Sequence, residues 1–233
     1  MKAYLPSKFL QVTLHQKGCN PARLGTLLAL LIELNFEPAL GIDILTIAYP
    51  GLLLLPTRQC KFPFEDNEIR FIRDFISQGN PLFHLSNHYP LTKQDTVLGQ
   101  EFGYRFHDVV KGFNKHRNFN VYPLSNPTSI FHSLDAKMHF KIHNSSIVSD
   151  DSDTFITIAD FSRSDISTGD RNAAFGIARP RNLETGAIVA LGDSGLLGEP
   201  SPCYPDNPGP GLNVGNNLDL VTRILLWLRN QTV

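Results

Sequence analysis

A serine lies between two histidines in the first half of the chain, in the run His-Leu-Ser-Asn-His at positions 84–88. A serine at a turn between a strand and a helix can be activated by an imidazole, as nucleophilic catalysis requires. Ser86 and His88, with Asp193 from a distant turn, are therefore the candidate catalytic residues of a hydrolase. His84 and His88 replace the two glycines that let such a turn be sharp, so a hydrogen-bonding role for Ser86 in a loop stays open.

Further polar residues follow apolar runs, at the positions where open α/β sheets place their ligand sites. Thr57 and Arg58 follow one such run, and Asp193 and Ser194 follow another, although an Asp-Ser turn can also satisfy backbone groups without any other function. The Pro/Gly-rich stretch 198–212 is predicted to lie beside Asp193 as one wall of a cleft. The predicted ligand-binding residues at this edge are His15, Thr57, Arg58, Asn87, Ser194 and Glu199.

The histidines and cysteines do not form the patterns of a metal site. His84 and His88 are four residues apart, but on a strand and a turn, and the chain has no Cys pair or His-Glu-x-x-His motif. We therefore predict no metal site and no cofactor. The three cysteines are odd in number and widely spaced, which argues against a disulfide framework and favours a reducing, cytoplasmic location.

Composition and charge restrict the class of protein and of partner. The 233 residues are 42% hydrophobic and 18% charged, as expected for one soluble globular domain. Lys and Arg number 21 and Asp and Glu 22, without a basic cluster, so nucleic acid is not expected as a partner. The longest apolar stretches, 24–34 and 42–55, are interrupted and shorter than a membrane helix, and no signal peptide is evident. The expected partner is a small molecule or a protein.

Strand and helix patterns alternate through the first hundred residues, which predicts a parallel, three-layer α/β sheet. The predicted strands are 9–15, 36–39, 51–56 and 81–85, and the predicted helices are 21–34, 66–78 and 91–102. From 105 to 170 the pattern weakens, and 139–143 and 154–159 alternate as antiparallel strands do, so an insertion or edge subdomain is expected there. A hairpin at 173–191 and a last helix capped by Asn216 complete the prediction.

Two segments give the chain a family resemblance. The first is the apolar run at 52–56, the acidic helix start and Gly79 of the next segment, and the strand that ends in Ser-Asn-His. The second is Thr-Gly-Ala-Ile-Val-Ala-Leu-Gly-Asp-Ser at 185–194, followed by Asn-Asn-Leu and a helix that contains the single Trp. Together they resemble the uncharacterised glutamine amidotransferase-like families, which implies a single domain over 1–233 with a flavodoxin-like sheet of the class I amidotransferase type.

The same comparison with class I amidotransferases indicates what this chain lacks. Members that hydrolyse glutamine have a nucleophilic Cys after a core strand and a His-x-Glu near the C-terminus. In this sequence Ser86 stands at the position of the Cys, and no His-x-Glu follows. The resemblance therefore implies a non-catalytic or divergent domain that binds a small ligand or a protein partner at the C-terminal edge of its sheet.

Overall fold

The fold is described by a computed structural model that covers residues 1–10, 24–48, 50–58, 62–87, 92–107, 118–124, 130–131, 134–143, 145–161, 173–198 and 211–231. In this part of the chain, eleven strands join in one mixed sheet, and five α-helices accompany it. The prediction of an α/β protein is confirmed.

One half of the sheet is parallel. Its strands are β1 (Lys2–Pro6), β2 (Glu37–Ile42), β3 (Gly51–Leu55), β4 (Leu82–Leu85) and β11 (Ile188–Leu191). They lie in the order β2-β1-β3-β4-β11, and each is parallel to its neighbours. Every residue of β3, β4 and β11 is buried, because a parallel strand covered on both faces is apolar throughout its length.

The helices divide between the two faces of this sheet. They are α1 (Ser7–Leu10), α2 (Gly25–Glu33), α3 (Asp66–Ser77), α4 (Thr92–Gln100) and α5 (Asn217–Asn230). Leucines of α2 and α5 pack in one core with Leu52 and Leu54 of β3, while α3 and α4 pack in a second core with Leu53 and Leu55. Successive strand residues point to opposite faces, so each core receives alternate leucines of β3. Gly79 follows α3 with a φ of 89°, which a glycine adopts without strain.

The other half of the sheet is antiparallel and continues from β11. Its strands are β10 (Ala174–Arg179), β9 (Ile156–Asp160), β6 (Asn118–Pro123) and β7 (Phe140–His143), in that order. A ribbon of β5 (Tyr104–His107) and β8 (Ile147–Asp150) joins β10 through the pair Ala174 and Val148. The antiparallel strands predicted at 139–143 and 154–159 correspond to β7 and β9, and the predicted hairpin to β10 and β11.

The prediction of a first strand at 9–15 was wrong where it can be checked. The strand is β1, and Phe9 lies in the short helix α1, while residues 11–15 lie outside the described residues. β1 sits between β2 and β3, where Ala3 and Leu5 are fully buried. Packing between two strands decided its position, because strand propensity depends strongly on such context.

The start of α5 also differs from the prediction. The Asn216 side chain forms no capping hydrogen bond; its Oδ1 accepts from the backbone N–H of His139. The carboxamide of Asn217 accepts from Lys141 N and donates to Lys141 O, both at 2.8 Å. This side chain thus pairs with β7 as a neighbouring strand would, and it satisfies backbone groups that an edge strand leaves open.

Candidate functional site

The C-terminal ends of β3, β4 and β11 meet through their side chains. Ser194 Oγ accepts hydrogen bonds from Thr57 Oγ1 at 2.9 Å and from Asn87 Nδ2 at 3.2 Å. The backbone N–H of Ser194 donates to the carbonyl of Ser86 at 2.6 Å. Four residues that the sequence singled out, far apart in the chain, are therefore brought together because adjacent parallel strands end at the same edge.

Asp193 is buried in the turn that follows β11. Its Oδ1 accepts from the N–H of Gly195 at 2.7 Å and thereby begins the 3-10 turn Ser194–Leu197. The preceding Gly192 donates to Phe175 O and accepts from Ser146 N. A Cβ at Gly192 would lie 2.1 Å from Ser146 O, so only glycine allows this close approach. The Asp193 carboxylate thus helps to hold the turn, as turn chemistry alone would predict.

Ser86 is fully buried and its hydroxyl is engaged. Ser86 Oγ donates to Asp95 Oδ2 on α4 at 2.8 Å, and Asp95 Oδ1 accepts from the backbone N–H of Arg58 at 3.1 Å. The Asp95 carboxylate therefore joins the ends of β3 and β4 to α4. The sequence analysis did not identify Asp95, and its role as hydrogen-bond partner of Ser86 comes from the structure.

A histidine and a tyrosine complete this buried cluster. His84 Nδ1 is 2.7 Å from the Tyr104 hydroxyl, and His84 Nε2 is 3.6 Å from Asp95 Oδ1. When the hydroxyl donates to Nδ1, the Nε2 proton of a neutral imidazole faces the carboxylate. Burial raises the pKa of the Asp95 carboxyl, and the donors around it offset this only in part. Burial and the nearby Asp95 charge raise the pKa of Tyr104 well above its ordinary value.

Arg58 turns its side chain away from the Ser86 cluster. Its Nη2 lies 2.7 Å from Glu68 Oε2, and its guanidinium carbon lies 4.1 Å from the centre of the Phe64 ring. Glu68 Oε1 is also 3.0 Å from the ammonium of Lys8. Burial raises the pKa of the Glu68 carboxyl, but hydrogen bonds from Arg58, the Glu65 N–H and Lys8 outweigh it, so the pKa is lowered.

A cavity of about 70 Å³ opens at the C-terminal ends of β1 and β2. Its walls come from the end of β1, from α1, from the turn after β2 and from one side chain of α3. The lining residues are Pro6, Ser7, Lys8, Phe9, Ile42, Asp43, Ile44 and Glu68. This cavity lies at the same edge of the sheet as the Ser86 cluster, but at different strands.

The structure covers only part of the predicted site. His15, His88 and Glu199 lie outside the described residues, so their predicted roles stay predictions. In the part of the chain that is described, no three His, Cys, Asp or Glu residues are grouped so that they could hold a metal ion. None of the described helices is both long and apolar enough to cross a membrane.

A sequence signal for the two carboxylates existed but was missed. Asp95 shares a helical face with Leu98 and Phe102, and Glu68 shares one with Ile72 and Phe75. A carboxylate at the i, i+3, i+4 spacing of an apolar stripe is predicted to be buried with its helix. Burial then requires a partner.

Comparison with known proteins finds likeness in structure alone. No family model and no curated protein matches the chain. The mmIFT52 N-terminal domain is similar over 98% of this chain and 97% of its own, with 12% identity and a TM-score of 0.70. Cytoplasmic protein STM1381 from Salmonella typhimurium LT2 is similar over the whole of both chains, with 10% identity and a TM-score of 0.62. A putative GMP synthase subunit from Thermoplasma acidophilum matches over 99% and 96%, with 12% identity and a TM-score of 0.51. At these identities the likeness shows the fold.

Proposed function

We propose that the chain is a non-catalytic domain of the glutamine amidotransferase-like type that binds a partner at the C-terminal edge of its parallel sheet. The strand order β2-β1-β3-β4-β11 supports a flavodoxin-like arrangement, because it follows the 2-1-3-4-5 order of such sheets. Helices on both faces support three layers. The likeness to the GMP synthase protein supports the amidotransferase-like type at the level of fold.

The observation on which the non-catalytic role rests is the state of the Ser86 hydroxyl. It is fully buried, and it donates to Asp95 rather than pointing to a space that a substrate could occupy. A nucleophile has to reach the reacting atom of its substrate, and its proton has to pass to a base. Ser86 instead helps to hold a buried carboxylate that joins β4 to α4.

The binding role rests on the edge itself. Thr57, Asn87 and Ser194 fix the ends of three strands to one another, so this surface is formed before any partner arrives. Asn87 and Ser194 remain partly accessible there. The cavity at β1 and β2 adds a concave feature at the same edge.

A hydrolase that uses Ser86, with His88 and Asp193, is the second candidate. One observation favours it: the Ser86 hydroxyl donates to a carboxylate whose pKa is raised, and a raised pKa is a property of general bases. In that reading Asp95 joins the three residues that the sequence suggested.

A substrate panel separates the two functions. Wild type, Ser86→Ala and the control Ser77→Ala, whose exposed hydroxyl donates to Asp74 O on α3, would be assayed with p-nitrophenyl esters, anilides and glutamine. We expect no turnover that depends on Ser86, and a loss of about 1 kcal/mol in the free energy of unfolding of Ser86→Ala. A rate loss of about 100-fold or more in Ser86→Ala alone would establish the hydrolase instead.

A further inference from the structure

The cavity at the ends of β1 and β2 contains one carboxylate without a counter-charge. Lys8 Nζ lies 3.1 Å from Glu65 Oε1 and 3.0 Å from Glu68 Oε1, and Arg58 pairs with Glu68 at 2.7 Å. These two cations and two carboxylates cancel. Asp43, the remaining charged residue of the lining, forms no ion pair with any residue that the structure describes.

The geometry of Asp43 leaves one oxygen for a partner. Oδ1 accepts from the N–H of Leu45 at 3.0 Å and begins the 3-10 turn Ile44–Thr46. Oδ2 makes no hydrogen bond within the described ranges, and the residue is exposed. The sequence around it is acidic as well, because residues 24–57 contain Glu33, Glu37 and Asp43 but no Lys, Arg or His. Charge complementarity therefore requires a positively charged occupant.

The walls and size of the cavity restrict the rest of the occupant. Pro6, Phe9, Ile42 and Ile44 give it a largely apolar lining. A volume of about 70 Å³ holds roughly five water-sized spheres, which suits the end of one aliphatic chain and not a complete cofactor. Leu45, next to this opening in sequence, is 42% exposed and offers apolar surface outside it. An occupant with most of its mass outside the cavity fits these features.

We propose that this cavity receives a lysine side chain from a protein partner. The aliphatic stem lies against Phe9, Ile42 and Ile44, and the ammonium pairs with Asp43 Oδ2. A single free carboxylate oxygen matches the point charge of an ammonium, whereas a guanidinium prefers two oxygens in a fork. The inference rests on the binding function proposed above and names the chemistry of its partner.

The test is a titration of the full-length, 15N-labelled chain followed by NMR. The probe is the peptide acetyl-Ala-Leu-Lys-Leu-Ala-amide, and its control is the same peptide with norleucine, which keeps the stem of lysine and removes the charge. We expect the lysine peptide to shift the backbone amides of residues 42–45. The norleucine peptide should bind about fivefold more weakly, the value of an exposed ion pair of about 1 kcal/mol.

Matched variants place the charge on Asp43. Asp43→Asn keeps the acceptor for Leu45 N–H and should weaken binding of the lysine peptide by about fivefold, whereas Asp43→Glu should retain most of the affinity. Asp135→Asn is the control, because Asp135 is exposed and accepts from Lys137 N at 2.9 Å in the same kind of turn. It should leave the Kd within about twofold. Unchanged dispersion of the amide spectrum shows that each variant is folded.

Several results would overturn the inference. Equal Kd values for the lysine and norleucine peptides, no effect of Asp43→Asn, or shifts confined to residues outside 42–45 would each reject the lysine site, as would the absence of binding. If n-butylammonium binds as tightly as the peptide, the cavity belongs to a small amine and the protein partner is rejected. None of these results concerns Ser86, so the substrate panel remains an independent test of the proposed function.

Discussion

Two buried carboxylates at the same edge of the sheet differ in the direction of their pKa shifts. Glu68 on α3 faces two cations, Arg58 and Lys8, and its pKa is lowered although burial raises it. Asp95 on α4 faces a serine hydroxyl, a backbone N–H and an imidazole, and its pKa is raised by burial. Burial alone therefore does not set the charge of a carboxylate here; the charge of the groups that face it does.

The difference matters for how the edge is held. The Glu68 cluster is an ion-pair network that joins α3 to the segment after β3 and to α1. The Asp95 cluster is a network of hydrogen bonds, mostly from neutral donors, that joins α4 to β3 and β4. Removing a charge should therefore harm the first cluster most, and removing an acceptor should harm the second.

The largest effect is expected for Arg58→Met. This change removes the cation but keeps much of the side-chain volume, and it leaves Glu68 buried with Lys8 as its remaining cation. Breaking a buried ion pair from one side costs about 3–5 kcal/mol. Urea denaturation should show this loss, while Arg73→Met, which removes an exposed ion pair with Glu101, should cost under about 1 kcal/mol. Similar losses in both variants would remove the distinction between a buried and an exposed pair.

A smaller loss is expected for Asp95→Ala. The Ser86 hydroxyl and the Arg58 N–H lose their acceptor, and a buried donor without an acceptor costs about 1–3 kcal/mol. Removal of a carboxylate that burial disfavours offsets part of this, so we expect a net loss of about 2 kcal/mol. Asp95→Asn retains an acceptor oxygen and should lose less. An Asn variant less stable than the Ala variant would show that the negative charge itself stabilises the cluster.

The pH dependence of stability should have opposite signs for the two carboxylates. The lowered pKa of Glu68 gives stability that is present above the ordinary pKa of Glu, about 4.3, and is lost as pH falls through the folded-state value. The raised pKa of Asp95 gives a penalty that is present above its folded-state value and disappears as pH falls towards about 3.9. A tenfold difference in proton affinity between the folded and unfolded states corresponds to about 1.4 kcal/mol of stability.

The comparison is made with Glu68→Gln and Asp95→Asn across the acid range. As pH falls, the stability advantage of wild type over Glu68→Gln should shrink, because wild-type Glu68 becomes neutral as well. Over the same range wild type should gain stability relative to Asp95→Asn. Parallel curves for the two variants would show that both carboxylates have the same charge state in the folded protein.

Much of the parallel half of the fold could be predicted from sequence, because its signals are local. The apolar run of β3, the stripe and glycine stop of α3, and the five buried apolar residues of α5 each follow from spacing alone. The first strand could not be placed, because its neighbours β2 and β3 decide its position. Pairing across a sheet depends on residues far apart in the chain, which a local pattern does not contain.

The site was predictable in part for the same reason. Thr57, Asn87 and Ser194 could be grouped, because parallel strands of one sheet end at a common edge. The orientation of Arg58 towards Glu68 and the hydrogen bond from Ser86 to Asp95 could not, because they depend on how α3 and α4 dock. Only the positions of the two carboxylates on apolar helical stripes pointed to their burial.

The central claim, that Ser86 is a structural hydroxyl, is tested most directly by its reactivity. The native protein would be treated with a fluorophosphonate, which phosphonylates activated serines, and the peptide that contains residue 86 would be analysed by mass spectrometry, with a known serine hydrolase as positive control. The buried hydrogen bond to Asp95 predicts that this serine stays unmodified. Rapid, stoichiometric modification of Ser86, absent from Ser86→Ala, would contradict the account and establish a nucleophile at this edge.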